Sequence, residues 1–396
     1  MGRTHGLLTA LLSSTGRAAF RAPSRRSVRR AAFPDLSNSS GLASAAPLDA
    51  QALELTRADT TFAALVERLS ESGGYFDTDN LISNESSYLH VMGALREIDV
   101  RGGAYIGVGP DQNFSYIARV RPSIAFIIGI RRDNLLEHLF FKALFHLSET
   151  RVEYLSLLVG RKAPTDPHEW TGSSIEELVR YVDSTPAENS IAESARRRVR
   201  ETIITFGVPL GERDLDMVAF MHTSFIEAGV RLRFTSHNRA PNYYYPTYEA
   251  LLLETDRTGL QSNYLADEDD FRFLRSMEME GLIVPVVGDL SGDHALLEVG
   301  QVIAQRGEVV SAFYTSNVEF YLMGGGSFDR FGRNLTALPR DERSVIIRSV
   351  FRTRLPQSVQ GYMSTQLLQF LDRFSAEYER GEISSYRDLI TKGVLE

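Results

Sequence analysis

The feature that most constrains the fold is an alternation of short apolar runs with helical segments. Residues 123–130 (SIAFIIGI) form a continuous apolar run, as expected for a strand buried on both faces of a parallel sheet. Residues 104–108 form a shorter apolar run, separated from it by one short helical segment. A longer segment with helical apolar spacing follows at residues 135–147. This order, at these lengths, predicts a βαβ unit.

The same alternation returns in the second half of the chain, where strands are expected at residues 282–287, 309–314 and 344–351. Helices are expected at residues 60–72, 85–97, 114–120, 269–279, 295–305, 318–323 and 367–380. Five strands that alternate with helices predict an α/β protein with an open doubly wound, mostly parallel sheet of the Rossmann-like kind.

The chain divides by composition into a basic head and an acidic body. Residues 1–34 contain seven arginines and no acidic residue. This head has the composition of a transit-like segment, of a disordered arm, or of sequence upstream of a misassigned start; we favour a disordered extension and linker over residues 1–50. Residues 51–396 are then one Rossmann-like domain, with a mainly helical insertion at about residues 150–238.

The charge and residue usage of the body disfavour several functions. Residues 35–396 carry 36 basic and 51 acidic residues, a net charge of −15, which disfavours general nucleic-acid binding. No run of about 18 apolar residues is present, so no membrane span is expected. Cysteine is absent and no His-x-x-x-His pair occurs, so we predict no metal site. We expect a cytoplasmic protein that binds a small molecule.

Ligands of an open parallel sheet bind beyond the carboxyl ends of its strands. The candidate binding residues therefore follow the predicted strands or lie in a polar cluster before the first one: Asp79, Asn80, Asn84, Gly107, Gly109, Pro110, Asn113, Arg131, Asp133, Asp289 and Ser316. Catalytic residues stay unknown at this level, with Asn317 and Glu319, after the fourth strand, as candidates.

Several of these residues have two interpretations. Gly107 and Gly109 begin a glycine motif whose third position is Gln112, so the pattern of a dinucleotide-binding turn is incomplete. An acid that holds both ribose hydroxyls commonly ends the second strand, but here that place is Gly129. Asp133 either reaches the site or begins the next helix. The cluster at residues 77–85 either covers the pocket or caps a helix.

Four blocks of sequence resemble an uncharacterised bacterial family whose members are described as having a fold like S-adenosylmethionine-dependent methyltransferases. The blocks are residues 76–89, 105–145, 282–292 and 313–322, beginning FDTDNL, YIGVGP, LIVPVV and FYTSNV. The resemblance implies a Rossmann-like sheet with an adenosylmethionine pocket at residues 107–110. It also implies an acid at the position of Gly129, where this chain departs from the pattern.

The leading hypothesis is therefore a methyltransferase-like protein that binds S-adenosylmethionine, with an unknown acceptor. Residues 107–110 would pack against the methionine and ribose, the cluster at residues 79–84 would cover the ligand, and Asp133 or Asp289 would contact the adenosine. Asn317 and Glu319 would face the acceptor. A catalytically inactive scaffold that uses the insertion for a partner is the main alternative, and a nicotinamide-dependent oxidoreductase is a weaker one.

Overall fold

The structure is a computed structural model that describes residues 61–78, 80–236 and 244–395. These residues all belong to one compact unit, which is bounded at residues 50 and 396. The predicted basic extension, together with Asp79 and residues 237–243, lies outside the described residues.

The described residues contain one six-stranded sheet in the order β3-β2-β1-β4-β5-β6. Its strands are β1 (Ala104–Gly107), β2 (Ile124–Gly129), β3 (Ile283–Val287), β4 (Val310–Ser316), β5 (Val345–Phe351) and β6 (Ser364–Phe370). The first five are parallel to one another, and β6 is antiparallel to β5. The α/β class and the open, mostly parallel sheet are therefore confirmed, as are all five predicted strands.

Strand β6 is a correction to the sequence prediction, which assigned residues 367–380 to a helix. The helix begins only at Leu371, because the preceding residues pair with β5, with Leu367 opposite Arg348 and Leu368 opposite Ile347. Leucine and glutamine favour helices in isolation. Here the unpaired edge of β5 offers a full ladder of backbone hydrogen bonds, and that tertiary pairing determines the structure.

Helices cover both faces of the sheet. They are α1 (Phe62–Leu69), α2 (Met92–Glu97), α3 (Gln112–Val120), α4 (Arg132–Leu147), α5 (Arg151–Leu158), α6 (Ile175–Ser184), α7 (Asn189–Ile204), α8 (Glu212–Ala228), α9 (Tyr248–Leu252), α10 (Glu268–Met279), α11 (Ala295–Gln305), α12 (Val318–Gly325), α13 (Phe328–Thr336), α14 (Leu371–Glu379) and α15 (Tyr386–Thr391). The segment at about residues 150–238 contains α5 to α8 and is mainly helical.

The helix predicted at residues 85–97 is present only in its second half. Residues 85–97 were expected to be helical throughout, with Ser83 or Asn84 as the cap. Regular α-helix begins only at Met92, after a single 3₁₀ turn at Tyr88–Val91. The earlier residues stay irregular because Glu85 is hydrogen-bonded to the sheet, as described below, and this fixes the chain in a non-helical path.

Helix α4 connects the sheet to the helical insertion. Its face away from the sheet packs on α7 and α8, and the buried Lys142 lies 3.4 Å from the carboxylate of Glu278 in α10. The ammonium group also lies 4.5 Å from the ring centroid of Phe62. Such a desolvated pair fixes the orientation of α4, whose first turn lies beside the candidate site.

Candidate functional site

A cavity opens at the carboxyl ends of β1, β2, β3 and β4 and has a volume of about 1160 Å³, including space open to solvent at its mouth. The order of the strands reverses between β1 and β4: β2 and β3 follow on one side of β1, and β4 to β6 lie on the other side. Open α/β sheets bind ligands at such a reversal. Eight residues predicted from the sequence line this cavity: Asn80, Asn84, Gly109, Pro110, Arg131, Asp289, Ser316 and Asn317. The structure thus brings the loops after four strands together along one edge.

Gly107 and Asn113 do not line the cavity but shape its loop. The amide of Asn113 donates to the carbonyl groups of Val108 and Pro110 at 2.9 and 2.8 Å, and its oxygen accepts from the hydroxyl of Tyr105 at 2.8 Å. A Cβ atom at Gly107 would lie 1.9 Å from the same oxygen. Glycine is therefore required there for packing, and Asn113 holds the turn from within.

Asp133 and Glu319 also lie outside the cavity lining. Asp133 is in the first turn of α4 and lies 3.4 Å from Arg131, so it pairs with a residue that does line the cavity. Glu319 is buried, and its carboxylate accepts from the Nε of Arg348 at 2.6 Å and from Thr315 at 3.2 Å. The structure therefore places Glu319 in an ion pair with Arg348 of β5, outside the cavity lining.

The carbonyl group of Gly109 fixes the loop after β1 onto α4. It accepts from the side-chain amide of Asn134 at 3.1 Å and is 2.9 Å from the Nε2 of His138. A carbonyl oxygen only accepts, so His138 carries its proton on Nε2. Burial lowers the pKa of His138 to about 4, which keeps the ring neutral near pH 7. The backbone of Gly109 has a φ of +87°, a conformation that favours glycine.

The side chain of Asn134 occupies the place where a side chain at Gly129 would project. A Cβ atom built on Gly129 would lie 2.4 Å from the Oδ1 of Asn134. Since the amide nitrogen of Asn134 donates to Gly109, Oδ1 is the atom left over, and it has no hydrogen-bond partner. The end of β2 thus presents an amide oxygen where a carboxylate was expected. Sequence reasoning missed Asn134, although a polar residue just inside an apolar helix was a usable signal.

Two further buried polar atoms that line the cavity have no partner: the Oγ1 of Thr78 and the Oε1 of Gln112. The hydroxyl of Tyr314 donates to Glu85 at 2.5 Å and accepts from the amide nitrogen of Gln112 at 3.3 Å. This arrangement fixes the amide of Gln112 and leaves its oxygen free. Buried polar atoms without partners cost free energy, so a molecule that donates hydrogen bonds to these three atoms would be stabilised in this cavity.

Glu85 attaches the polar segment at residues 80–85 to the sheet, and the sequence prediction missed this role. It is 1% exposed and accepts from four donors on three strands: Tyr314, Ser316, Ser349 and Gln366. No basic side chain of the described residues lies within ion-pair distance of it. Hydrogen bonds alone therefore stabilise this carboxylate, and they hold residue 85 against the sheet beside the cavity.

The charge of the cavity argues against a phosphate-rich ligand. Within the described residues, Arg131 is the one basic side chain that lines it, while Glu85 and Asp289 are acidic. One oxygen of Asp289 accepts from the backbone N–H and the hydroxyl of Ser291 at 2.8 and 2.9 Å, which forms a tight turn after β3. A cavity with this balance suits a neutral or cationic ligand better than a diphosphate.

Part of the cavity lining is apolar and aromatic. Phe76 and Tyr321 face each other edge to face with ring centroids 5.1 Å apart, and Val318 and Leu322 of α12 also line the cavity. The neighbouring Phe320 is 54% exposed. The lining therefore combines polar groups on the loops after the strands with apolar side chains from α12 and Phe76.

The strand order and the position of this cavity define a Rossmann-like α/β protein with a ligand space at the switch point of its sheet. Residues 81–200 and 228–392 match the sequence model of a family described as a domain of unknown function, DUF7790, and the chain belongs to that family. No curated protein matches the chain.

The described residues contain no group of three or more His, Asp or Glu side chains placed to hold a metal ion. No helix in the same ranges combines the length and apolar character needed to cross a bilayer.

Proposed function

We propose that this chain binds S-adenosylmethionine and acts as a methyltransferase-like protein whose acceptor is unidentified. The observation that carries the proposal is the set of three buried, unpartnered polar atoms, on Thr78, Gln112 and Asn134, around a cavity at the sheet's switch point. An adenosyl group offers matching donors, since its base carries an amine and its ribose carries two hydroxyls.

The position of Asn134 supports this ligand. Its free amide oxygen lies at the end of β2, where a nucleoside-binding sheet commonly places an acid. An amide oxygen accepts the same hydrogen bonds from ribose hydroxyls, although a neutral acceptor forms weaker bonds than a carboxylate. We therefore expect the amide oxygen of Asn134 to accept a hydrogen bond from a ribose hydroxyl. The amide oxygen of Gln112, across the loop after β1, should accept a hydrogen bond from a second donor of the ligand.

The electrostatics of the cavity also favour this ligand over a nicotinamide dinucleotide. S-Adenosylmethionine carries a sulfonium and an ammonium group and no phosphate. Among the described residues, two acidic side chains and one basic side chain line the cavity, whereas the two phosphates of a dinucleotide call for more cations or a complete glycine turn. The free carboxylate oxygen of Asp289 would be a counter-charge for the ammonium group.

When bound, the ligand would supply an electrophilic methyl group, and its transfer is an in-line displacement that positioning alone can accelerate strongly. The chain's residues would orient the donor through Asn134 and Gln112. Phe76 and Tyr321 would exclude water from the cavity. Asn317, after β4, is the polar side chain best placed to orient an acceptor, because Glu319 is engaged with Arg348.

A second candidate is a protein that binds the nucleoside without turnover. The specific observation in its favour is the neutral Asn134 in place of an acid, together with the burial of Glu319. Neither residue therefore offers a free carboxylate to a ligand in the cavity.

The test is isothermal titration calorimetry of the full chain with S-adenosylmethionine, with its demethylated product and with NADH. We expect binding of the first two and not of NADH. Gln112→Met keeps the length of the unbranched side chain but removes its amide, including the free oxygen and the nitrogen that donates to Tyr314, so it should weaken binding about tenfold, as expected for about 1.4 kcal/mol. Asn189→Ala, on the exposed start of α7, is the matched control. Absence of binding at millimolar ligand would refute the proposal, and methylation assays on the binding-competent chain separate the two candidates.

A further inference from the structure

A second cavity lies within the helical insertion, between α5 and α7, with a volume of about 620 Å³ that includes space open to solvent. Three basic side chains line it: Arg161, Lys162 and Arg198. The one acidic residue in its lining is Glu153, whose carboxylate accepts from the backbone N–H and the hydroxyl of Thr150, both at 3.0 Å. That carboxylate is therefore used in capping α5.

Among the residues that the structure describes, the three basic side chains have no acidic partner. In the described part of the chain, none of them forms an ion pair, whereas other arginines of the insertion pair with acids, as Arg200 does with Glu212 and Arg231 with Asp183. Like charges that surround one cavity repel each other, and an anion between them would relieve that repulsion.

Two features make this a built site rather than a group of surface charges. The guanidinium of Arg161 is held in place because its Nη1 donates to the carbonyl groups of Val159 and Ile226 at 2.7 and 3.3 Å. Ser156 lines the cavity, is 1% exposed, and has a hydroxyl with no partner. A preorganised cation and a free hydroxyl donor are groups that bind oxyanions.

We propose that this cavity binds a small oxyanion, namely the phosphate group of a small molecule. The hydroxyl of Ser156 and the three cations supply donors and charge for it. Residues 35–396 carry a net charge of −15. A long polyanion such as a nucleic acid would extend over this acidic surface and be repelled by it, so the expected ligand is a small molecule. The site is separate from the cavity at the strand ends and does not depend on the function proposed for that cavity.

The test is calorimetric titration of the full chain with inorganic phosphate, at an ionic strength held constant with chloride. We expect saturable binding that Ser156→Ala and Lys162→Gln each weaken at least threefold and Arg161→Gln weakens at least tenfold. Lys162 is exposed, so its variant tests the charge without disturbing the fold. Arg197→Gln, an exposed position on α7 outside the lining, is the matched control and should bind as the wild type does.

Two outcomes would overturn this proposal. One is absence of saturable binding to the wild-type chain. The other is equal affinity in the wild type and all four variants, which would identify non-specific binding to the surface. Titration of S-adenosylmethionine into the same variants keeps the two sites distinguishable, because these substitutions should leave that binding unchanged.

Discussion

The contact between Gly129 and Asn134 gives the most specific prediction of this structure. A Cβ atom at residue 129 would lie 2.4 Å from the Oδ1 of Asn134 and 2.8 Å from its Cβ, so Gly129→Ala forces α4 or the end of β2 to move. Overpacking of this kind costs about 1–3 kcal/mol of the free energy of unfolding. The φ of Gly129 is not in the left-handed region, so the backbone itself accepts alanine.

A double-mutant cycle separates this clash from other effects. Asn134→Gly removes the side chain and one of the hydrogen bonds to the Gly109 carbonyl, at a cost of about 2 kcal/mol when helix propensity is included. In the double variant the new methyl group enters the vacated space, so the two costs should not add. We expect a coupling energy of about 1–2 kcal/mol in favour of the double variant.

The assay is urea unfolding of the wild type, both single variants and the double variant, followed by circular dichroism. Additive losses, within about 0.5 kcal/mol, would refute the claim that the Asn134 side chain fills the place of a side chain at residue 129. The interpretation of its amide oxygen as a substitute for a ribose-binding acid would then lose its structural basis.

Three further predictions concern buried charges. Glu85→Gln turns an amide nitrogen toward hydrogen-bond donors, so it should lower the free energy of unfolding by about 2–4 kcal/mol in urea melts, whereas the exposed control Glu67→Gln should change it by less than about 0.5 kcal/mol. Lys142→Met leaves Glu278 buried without its cation and should cost about 3–5 kcal/mol in the same assay; a cost below 1 kcal/mol would contradict the buried pair. Burial raises the pKa of Asp111 from 3.8 to about 6, so the native state keeps a proton that the unfolded chain has lost, and stability falls as pH rises between these values. In pH-dependent melts Asp111→Asn should therefore gain up to about 3 kcal/mol relative to wild type between about pH 4 and 7, and a constant difference would contradict the raised pKa.

The sequence predicted the parts of the fold that burial determines on its own. Strand β2 is apolar throughout because both of its faces are covered. Strand β6 was missed because its residues carry no such signature, and only the free edge of β5 makes them extended. Such a partner is distant in sequence and cannot be inferred from local propensity.

The site was predicted in outline and missed in detail. Loops that follow parallel strands must converge, so Gly109, Arg131 and Ser316 could be placed at one edge from topology alone. The amide oxygen of Asn134 is unpartnered because the amide nitrogen donates to the carbonyl group of Gly109. No sequence pattern predicts that hydrogen bond. The ion pair of Glu319 could have been predicted from the sequence. Arg348 lies within a buried strand and therefore needs an acidic partner, and the short helix after β4 contains one.

A crystal structure of the chain with S-adenosylhomocysteine tests the central claim most directly. The account predicts the nucleoside in the cavity beyond β1 and β4, with a ribose hydroxyl within about 3.2 Å of the amide oxygen of Asn134 and a second ligand donor on Gln112. Density at saturating ligand that shows ordered water on the free oxygens of Thr78, Gln112 and Asn134, and no nucleoside, would contradict it.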